Sequence, residues 1–404
     1  MTRLCVARLA SAAIALGLMA GGVAAEPKYG PGASDTEIKV GNTNPYSGPA
    51  TAYGAIGKAI GGYFDMVNAN GGINGRKVNF ISYDDGYSPP KTVEQIRRLV
   101  EQDEVLLLFQ TLGTPTNSAI HKYVNSRKVP HIFIATGATK WGNPEEYPWT
   151  MGWQPPYSDE SKIYAKYVLD NIDDPKIAVL YQNDDYGKDY VDGFRAGLGE
   201  LADKLIVAEA PYEVTDPTID SQIVEMQASG ANVFFNVTTP KFAAQAIRKV
   251  YDIGWRPLHL LNNVSNSVEA VLKPAGLDKS VGLISSFYLK DPSDPKWGDD
   301  ADVKTWDAWM DKYNSGANKA EVFNAYGYAV AATLEATLRQ CGDDLTRENV
   351  MRQAASLDHL EVPMLLPGIT VTTGTDDFYP LQQLQLSRFD GTSWQPIGEV
   401  MNAF

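Results

Sequence analysis

Two short stretches hold residue types that can grip an anion without a cationic side chain: Thr111-Leu112-Gly113-Thr114 and Thr136-Gly137-Ala138-Thr139. Their hydroxyls and backbone N–H groups are hydrogen-bond donors. Pro115, next to Thr114, marks a helix start, where free N–H groups and the helix dipole favour negative charge. The same residues also suit well-capped turns between a strand and a helix, so both readings stay open at this level. Motifs for other chemistry are missing from the sequence. His121, His131, His259 and His359 are scattered, with no H-E-x-x-H pair, so no metal and no cofactor is assigned. No G-x-S-x-G elbow, Walker lysine or G-x-G-x-x-G follows an apolar run, so no catalytic residue is assigned and the chain is not read as an enzyme. Asp84-Asp85 and Asp184-Asp185 each precede a helix-like segment, where acids complement the dipole. The acidic run 291–302 lacks the spacing of a calcium loop. Aromatic residues are better placed: Tyr46, Tyr53, Tyr87, Trp141, Trp149, Trp153, Tyr157 and Tyr186 fall in or beside loops, which suits a site for a flat or apolar group.

These loops need elements to aim them. Apolar runs at 105–109 and 132–134 flank an amphipathic segment and read as strand, helix and parallel strand, an arrangement that brings both hydroxyl-and-glycine loops to one sheet edge. Before them come a strand at 37–41, a glycine-bearing helix at about 50–70, a strand at 77–83 and a helix at 91–102. A crossing strand is expected within 147–156. The alternation then restarts, with helices at 158–171, 188–201, 219–229 and 241–253 and strands at 176–181, 205–210, 232–237, 258–262 and 281–288. Helices at 302–313, 322–339 and 347–355 follow, and the tail offers strands at 369–372 and 384–389 with a turn at Asp390-Gly391. The fold class is α/β: two doubly wound parallel-sheet lobes joined by a multi-crossing hinge. The first lobe is expected over 36–155 plus 288–366 and the second over 156–287 plus 367–404.

The chain has 404 residues, 35 Lys+Arg against 49 Asp+Glu, and a formal net charge of −14. That balance argues against nucleic acid and anionic membrane surfaces as partners. Residues 1–25 have the make-up of a secretory signal peptide: Arg3 and Arg8, a short apolar core and small residues before Glu26. Once they are removed, Cys341 is the one cysteine left, so an internal disulfide is not expected.

Taken together, the quoted residues resemble the type I periplasmic substrate-binding proteins of the leucine/isoleucine/valine-binding family, which feed ABC importers. The resemblance rests on the order of Pro45-Tyr46-Ser47-Gly48-Pro49, Asn68-Ala69-Asn70-Gly71-Gly72-Ile73-Asn74-Gly75, Tyr83-Asp84-Asp85, Ile134 to Thr139, and Tyr181-Gln182-Asn183-Asp184-Asp185-Tyr186-Gly187. It implies a periplasmic monomer that closes on a small-molecule ligand and delivers it to membrane permease and ATPase subunits. It also implies a ligand carboxylate held by Thr111, Leu112, Gly113, Thr114, Ala138 and Thr139, with Tyr46 packed on the ligand and Tyr186 and Thr238 contributed by the second lobe; Thr136 and Gly137 of the second hydroxyl-and-glycine loop, and Asn263, are further expected ligand contacts. Amino-acid binders of the family place an acid after the strand at 258–262 to take the ammonium group. Here Asn262-Asn263-Val264-Ser265-Asn266 stands there, without a carboxylate. An ammonium buried without a counter-charge is costly. The expected ligand is therefore an aromatic carboxylate of benzoate or cinnamate type, with a branched-chain or other amino acid as the alternative, or a sensing role on the same fold.

Overall fold

The computed structural model describes residues 28–402; the leader expected over 1–25 lies outside the described residues. Two sheets organise the chain. The first is built from β1 (Glu37–Asn44), β2 (Lys77–Asp84), β3 (Leu107–Phe109), β4 (His131–Ile134) and β5 (Thr150–Gly152), in the order β2-β1-β3-β4-β5 and parallel throughout. Its central strand reads Leu-Leu-Phe, and all three residues are buried. A parallel strand covered by helices on both faces has no side that tolerates polar residues.

The helices of this part are α1 (Gly54–Ala69), α2 (Pro89–Glu101) and α3 (Thr114–Ser126). Proline stands in the first turn of both α2 and α3, where its missing N–H would have had no intrahelical partner. The helix expected over 50–70 opens as a single 3-10 turn, Thr51–Tyr53, and becomes α-helical at Gly54. Gly57 in α1 lies under the Tyr46 ring, and a Cβ there would collide with the Tyr46 hydroxyl, which explains a glycine inside a helix.

The second sheet takes β6 (Ile177–Gln182), β7 (Ile206–Tyr212), β8 (Val233–Val237), β9 (Leu258–Leu261), β10 (Ile284–Phe287), β11 (Gln383–Phe389) and β12 (Trp394–Asn402), in the order β12-β11-β10-β9-β8-β6-β7. Strands β6 to β10 are parallel; β11 runs antiparallel to β10, and β12 antiparallel to β11. Helices α4 (Tyr157–Asn171), α5 (Asp185–Leu198), α6 (Asp220–Ala228) and α7 (Pro240–Asp252) cover it. Asp184 caps α5, its carboxylate accepting from the N–H groups of Tyr186 (2.9 Å) and Gly187 (3.3 Å). This cap starts the helix three residues before the expected Lys188.

The chain then passes back to the first sheet's helices. α8 (Ala301–Tyr313) and α9 (Val322–Cys341) pack on α1, and α10 (Arg347–Ala354) follows. Of the tail elements, the strand expected over 384–389 forms as Gln383–Phe389, whereas 369–372 does not form one: Val371 makes only an isolated bridge with Leu360. Strand β12 is absent from the sequence reading because Pro396 and Gly398 interrupt its pattern.

No described helix is long and apolar enough to cross a membrane. Of the four histidines, His131 and His259 are buried, and burial lowers both to about 3, so neither carries charge at neutral pH, whereas His359 is exposed.

Candidate ligand-binding site

The carboxyl ends of the strands in the two sheets face one another across a cavity. About 70 Å³ of it is open to the centre of a water-sized sphere, whereas a single water needs roughly 10–15 Å³ on this measure. The space therefore suits a small solute. Loops of the first sheet contribute Tyr53, Tyr87, Leu112, Gly113, Thr114 and Ala135. Tyr186, Thr239, Asn263 and Ser286 stand on the second-sheet side. Tyr288 and Tyr326 close the wall from the crossing after β10 and from α9.

Among the described residues, no Asp, Glu, Lys, Arg or His lines the cavity. Burial raises the phenols of Tyr53, Tyr87, Tyr186 and Tyr288 well above their ordinary range, so they remain neutral hydroxyls. The rings are fixed by edge contacts: Tyr53 on Phe323 (centroids 5.1 Å apart), Tyr157 on Tyr186 (5.5 Å) and Trp153 on Tyr326 (5.1 Å).

Gly113 makes room for one of these walls. Its φ is +101°, and an added Cβ would meet the Tyr87 ring at 2.5 Å. Both the backbone conformation and the close approach of the aromatic ring require glycine.

Five of the expected site residues line the cavity: Leu112, Gly113, Thr114, Tyr186 and Asn263. The other seven do not. Tyr46 lies over Gly57 with its hydroxyl 2.6 Å from Ser82 Oγ, and Tyr53, seven residues on, occupies the cavity wall instead. Thr111 is turned inward, donating to Asn117 Oδ1 (2.6 Å) and lying 2.5 Å from His131 Nε2. Thr136 Oγ1 pairs with Thr114 Oγ1 at 2.6 Å and accepts from Ala138 N at 3.1 Å, while the Gly137 carbonyl accepts from Tyr157 N at 2.8 Å. Thr139 donates through both its N–H (2.8 Å) and its hydroxyl (3.0 Å) to Asp189 Oδ2 on α5. Thr238 donates to Asn236 Oδ1 at 2.7 Å, and its neighbour Thr239 faces the cavity.

The backbone donors expected to hold a carboxylate are largely engaged as well. Leu112 N–H donates to the Thr43 carbonyl (3.2 Å) and Gly113 N–H to the Ala135 carbonyl (3.1 Å). These bonds carry the pairing with the neighbouring strands beyond the end of β3 at Phe109, so this loop is a turn tied to its neighbours before it is an anion cradle. Neither member of the Asp184-Asp185 pair lines the cavity. Asp184 caps α5, and Asp185 takes Lys140 Nζ at 2.8 Å and Ser118 Oγ at 2.9 Å.

On the second-sheet side the pattern is the reverse. Asn263 is buried, yet both its amide nitrogen and its amide oxygen lack a hydrogen-bond partner. Such atoms are rare, and in a cavity wall they mark where a ligand's polar group belongs. Tyr186 is held beside it, donating its hydroxyl to the Asn262 amide oxygen at 2.5 Å, while the Asn262 nitrogen donates to the carbonyls of Asn236 (3.1 Å) and Thr238 (3.2 Å).

Tyr288, Phe323 and Tyr326 were not foreseen as site residues. They come from a segment far along the chain and from a helix buried nearly all round, which has no polar face to show which side meets a ligand.

Hydrogen bonds and an ion pair bridge the two groups of elements. Tyr53 Oη donates to the Val264 carbonyl (3.0 Å), Ser267 Oγ donates to Glu321 (2.9 Å), and Asp189 and Asp185 take the bonds already described.

The family model described as "Periplasmic binding protein" matches residues 37–392. The Leu/Ile/Val-binding protein homolog 1 of Brucella abortus is 25% identical over 324 residues, 78% of this chain and 82% of the relative. Among solved structures, a branched chain amino acid ABC transporter protein from Thermus thermophilus with bound valine superposes with a TM-score of 0.81 at 15% identity, covering 92% of this chain and 97% of the other. A fatty acid ABC transporter substrate-binding protein from Thermomonospora curvata gives 0.77 at 21% identity, covering 93% and 95%. The two mainly parallel sheets and the family match across nearly all of the described chain lead to one assignment: this chain belongs to the periplasmic binding protein family, with the type I fold of the Leu/Ile/Val-binding proteins.

Proposed function

We propose that the protein is the periplasmic receptor of an ABC importer for a small aromatic carboxylic acid of benzoate or cinnamate type, captured between two lobes that close by a hinge. The observation that carries this reading is the wall of the cavity: tyrosines and phenylalanines without a charged side chain, and one unpartnered amide, Asn263. A flat ring gains from aromatic edges and faces, and a single polar end can be met by an amide and by the free side of the Thr114 turn. An α-amino acid would have to leave its ammonium group without a carboxylate on the cavity surface.

In this reading the lobes are 36–155 plus 288–366 and 156–287 plus 367–404, the protein acts as a monomer, and it hands its solute to permease and ATPase subunits. The alternative, an amino-acid receptor, draws on the Leu/Ile/Val-binding homologue and the valine-bound structure and on one buried carboxylate, Glu160, that lies directly behind Asn263 (backbone N to Oε1, 2.8 Å).

A thermal-shift and calorimetry panel separates the two. Benzoate or cinnamate should raise the melting temperature and reduce the radius of gyration in small-angle scattering, whereas leucine, valine and glutamate should do neither. Tight binding of valine with no response to any aromatic acid would replace the first reading with the second.

A further inference from the structure

Glu160 sits in the first turn of α4, a place where acids are ordinarily exposed and complement the helix dipole. Here it is 0% exposed and forms no salt bridge among the described residues. Four donors converge on it instead. Tyr164 Oη (2.8 Å), Asn263 N (2.8 Å) and Ser286 Oγ (2.9 Å) meet Oε1, and Tyr190 Oη (2.6 Å) meets Oε2. Two of those donors, Asn263 and Ser286, are cavity-wall residues.

One of the four bonds does not close as a simple donation. Tyr164 Oη is 2.8 Å from Glu160 Oε1 and also 2.8 Å from the carbonyl of Leu261, which can only accept. A phenol has one proton and cannot donate to both. If Glu160 carries a proton, it donates to Tyr164 and Tyr164 donates to Leu261, and every group is satisfied. If Glu160 is ionised, Tyr164 turns to it and the Leu261 carbonyl loses its partner. Leu261 ends β9, immediately before Asn262 and Asn263, so the protonation state of Glu160 bears on the backbone that carries the Asn263 amide.

We propose that Glu160 is the positioning residue of the ligand subsite: through Asn263 and Ser286 it fixes the polar wall of the cavity, and by gaining or losing a proton it selects the charge of the ligand group that can lie against that wall. This rests on the reading that Asn263 faces the ligand. The titratable groups around Glu160 are the phenols of Tyr157, Tyr164, Tyr190 and Tyr288, all held neutral by burial, so no cation offsets a charge on it. Burial raises Glu160 to about 7, against the pull of its four donors. An anion bound at Asn263 raises it further by repulsion, so the ligand and a proton bind together.

The test is calorimetric affinity as a function of pH for the full protein and its Glu160→Gln variant, with benzoate and valine as probes in two buffers of different ionisation enthalpy. For the wild type, benzoate should bind about tenfold more weakly at about pH 8 than at about pH 6, with proton uptake. Glu160→Gln, whose amide can donate to Tyr164 while its oxygen accepts, should give a flat profile. If valine proves to be the ligand, its ammonium reverses the sign: affinity rises with pH and the variant again flattens it, which upholds the role of Glu160 and defeats the aromatic-acid reading. Should Glu160→Gln not fold, Tyr164→Phe serves, because losing that donor from the ionised form displaces the wild-type profile to higher pH. Binding whose pH profile is flat in the wild type, or unchanged in both variants, overturns this proposal alone. Failure of both probes to bind at either pH overturns the ligand reading, and with it the role assigned here.

Discussion

The two walls of the cavity treat their polar groups in opposite ways. On the first-sheet side, Leu112 N, Gly113 N, Ala138 N and the hydroxyls of Thr114 and Thr136 are bonded within the protein. On the second-sheet side, Asn263 leaves a whole amide unpartnered while its own backbone N–H is anchored on Glu160. The contrast separates shape from recognition. The loops after β3 and β4, whose hydrogen bonds close within the protein, give the ligand a rigid surface, whereas the unpaired Asn263 amide, with the unpartnered Tyr326 hydroxyl of α9, gives it a direction.

The sharpest way to break the comparison is to damage the rigid wall. Gly113→Val puts a β-branched side chain at φ +101° and into the Tyr87 ring. Strain and overpacking together should cost about 2–5 kcal/mol of folding stability. A large fall in the denaturant midpoint, with ligand response lost, is the expected outcome; wild-type stability would mean that the Tyr87 side of the cavity is loose.

The directing wall is tested by Asn263→Leu, which preserves approximate volume and removes both the donor and the acceptor. Because the free amide has no partner in the protein, folding stability should hold or rise slightly. Ligand affinity should fall by about 1–3 kcal/mol, as the ligand's polar end is buried unpaired. Separate movement of affinity and stability is the signature of a recognition residue, and a parallel loss of both would make Asn263 a structural one.

The parts of this molecule that were legible from sequence are those where local pattern and tertiary role coincide. Parallel strands buried on both faces read as apolar runs, so the strands observed at 107–109, 177–182 and 233–237 stood out, whereas the start of α5 was expected at 188 and falls at Asp185, where the Asp184 cap sets it. The site was only half legible. Thr111 and Thr139 have the residue types of an anion site, yet their partners, His131 and Asp189, lie elsewhere in the chain, and only the fold brings them together. Tyr46 and Tyr53 are equivalent in a linear reading; the glycine face of α1 decides that Tyr46 packs on the helix and Tyr53 faces the cavity. Glu160 is not among the residues singled out from the sequence, because its burial is set by α5, β10 and the loop after β9, none of them near it along the chain.

The smallest effect is expected at Thr114, the residue where the two walls are hardest to tell apart. It lines the cavity, yet its hydroxyl is 2.6 Å from Thr136 Oγ1. If the hydroxyl's role is to tie the two first-sheet loops together, Thr114→Val removes one neutral hydrogen bond and keeps the shape. Thr136 still accepts from Ala138 N–H at 3.1 Å, so no polar group is left wholly unpaired. Stability should then fall by about 0.5–1.5 kcal/mol, and affinity should change by less than that. A hydroxyl that donated to a charged carboxylate would behave differently, because charge-assisted bonds are roughly twice as strong and the loss would fall on affinity. Paired measurement of the denaturant midpoint and the calorimetric Kd decides between them. An affinity loss of about 2 kcal/mol with unchanged stability would place the ligand's carboxylate at the α3 N-terminus, and would mean that the Thr114–Thr136 bond exchanges for a ligand bond when the cavity fills.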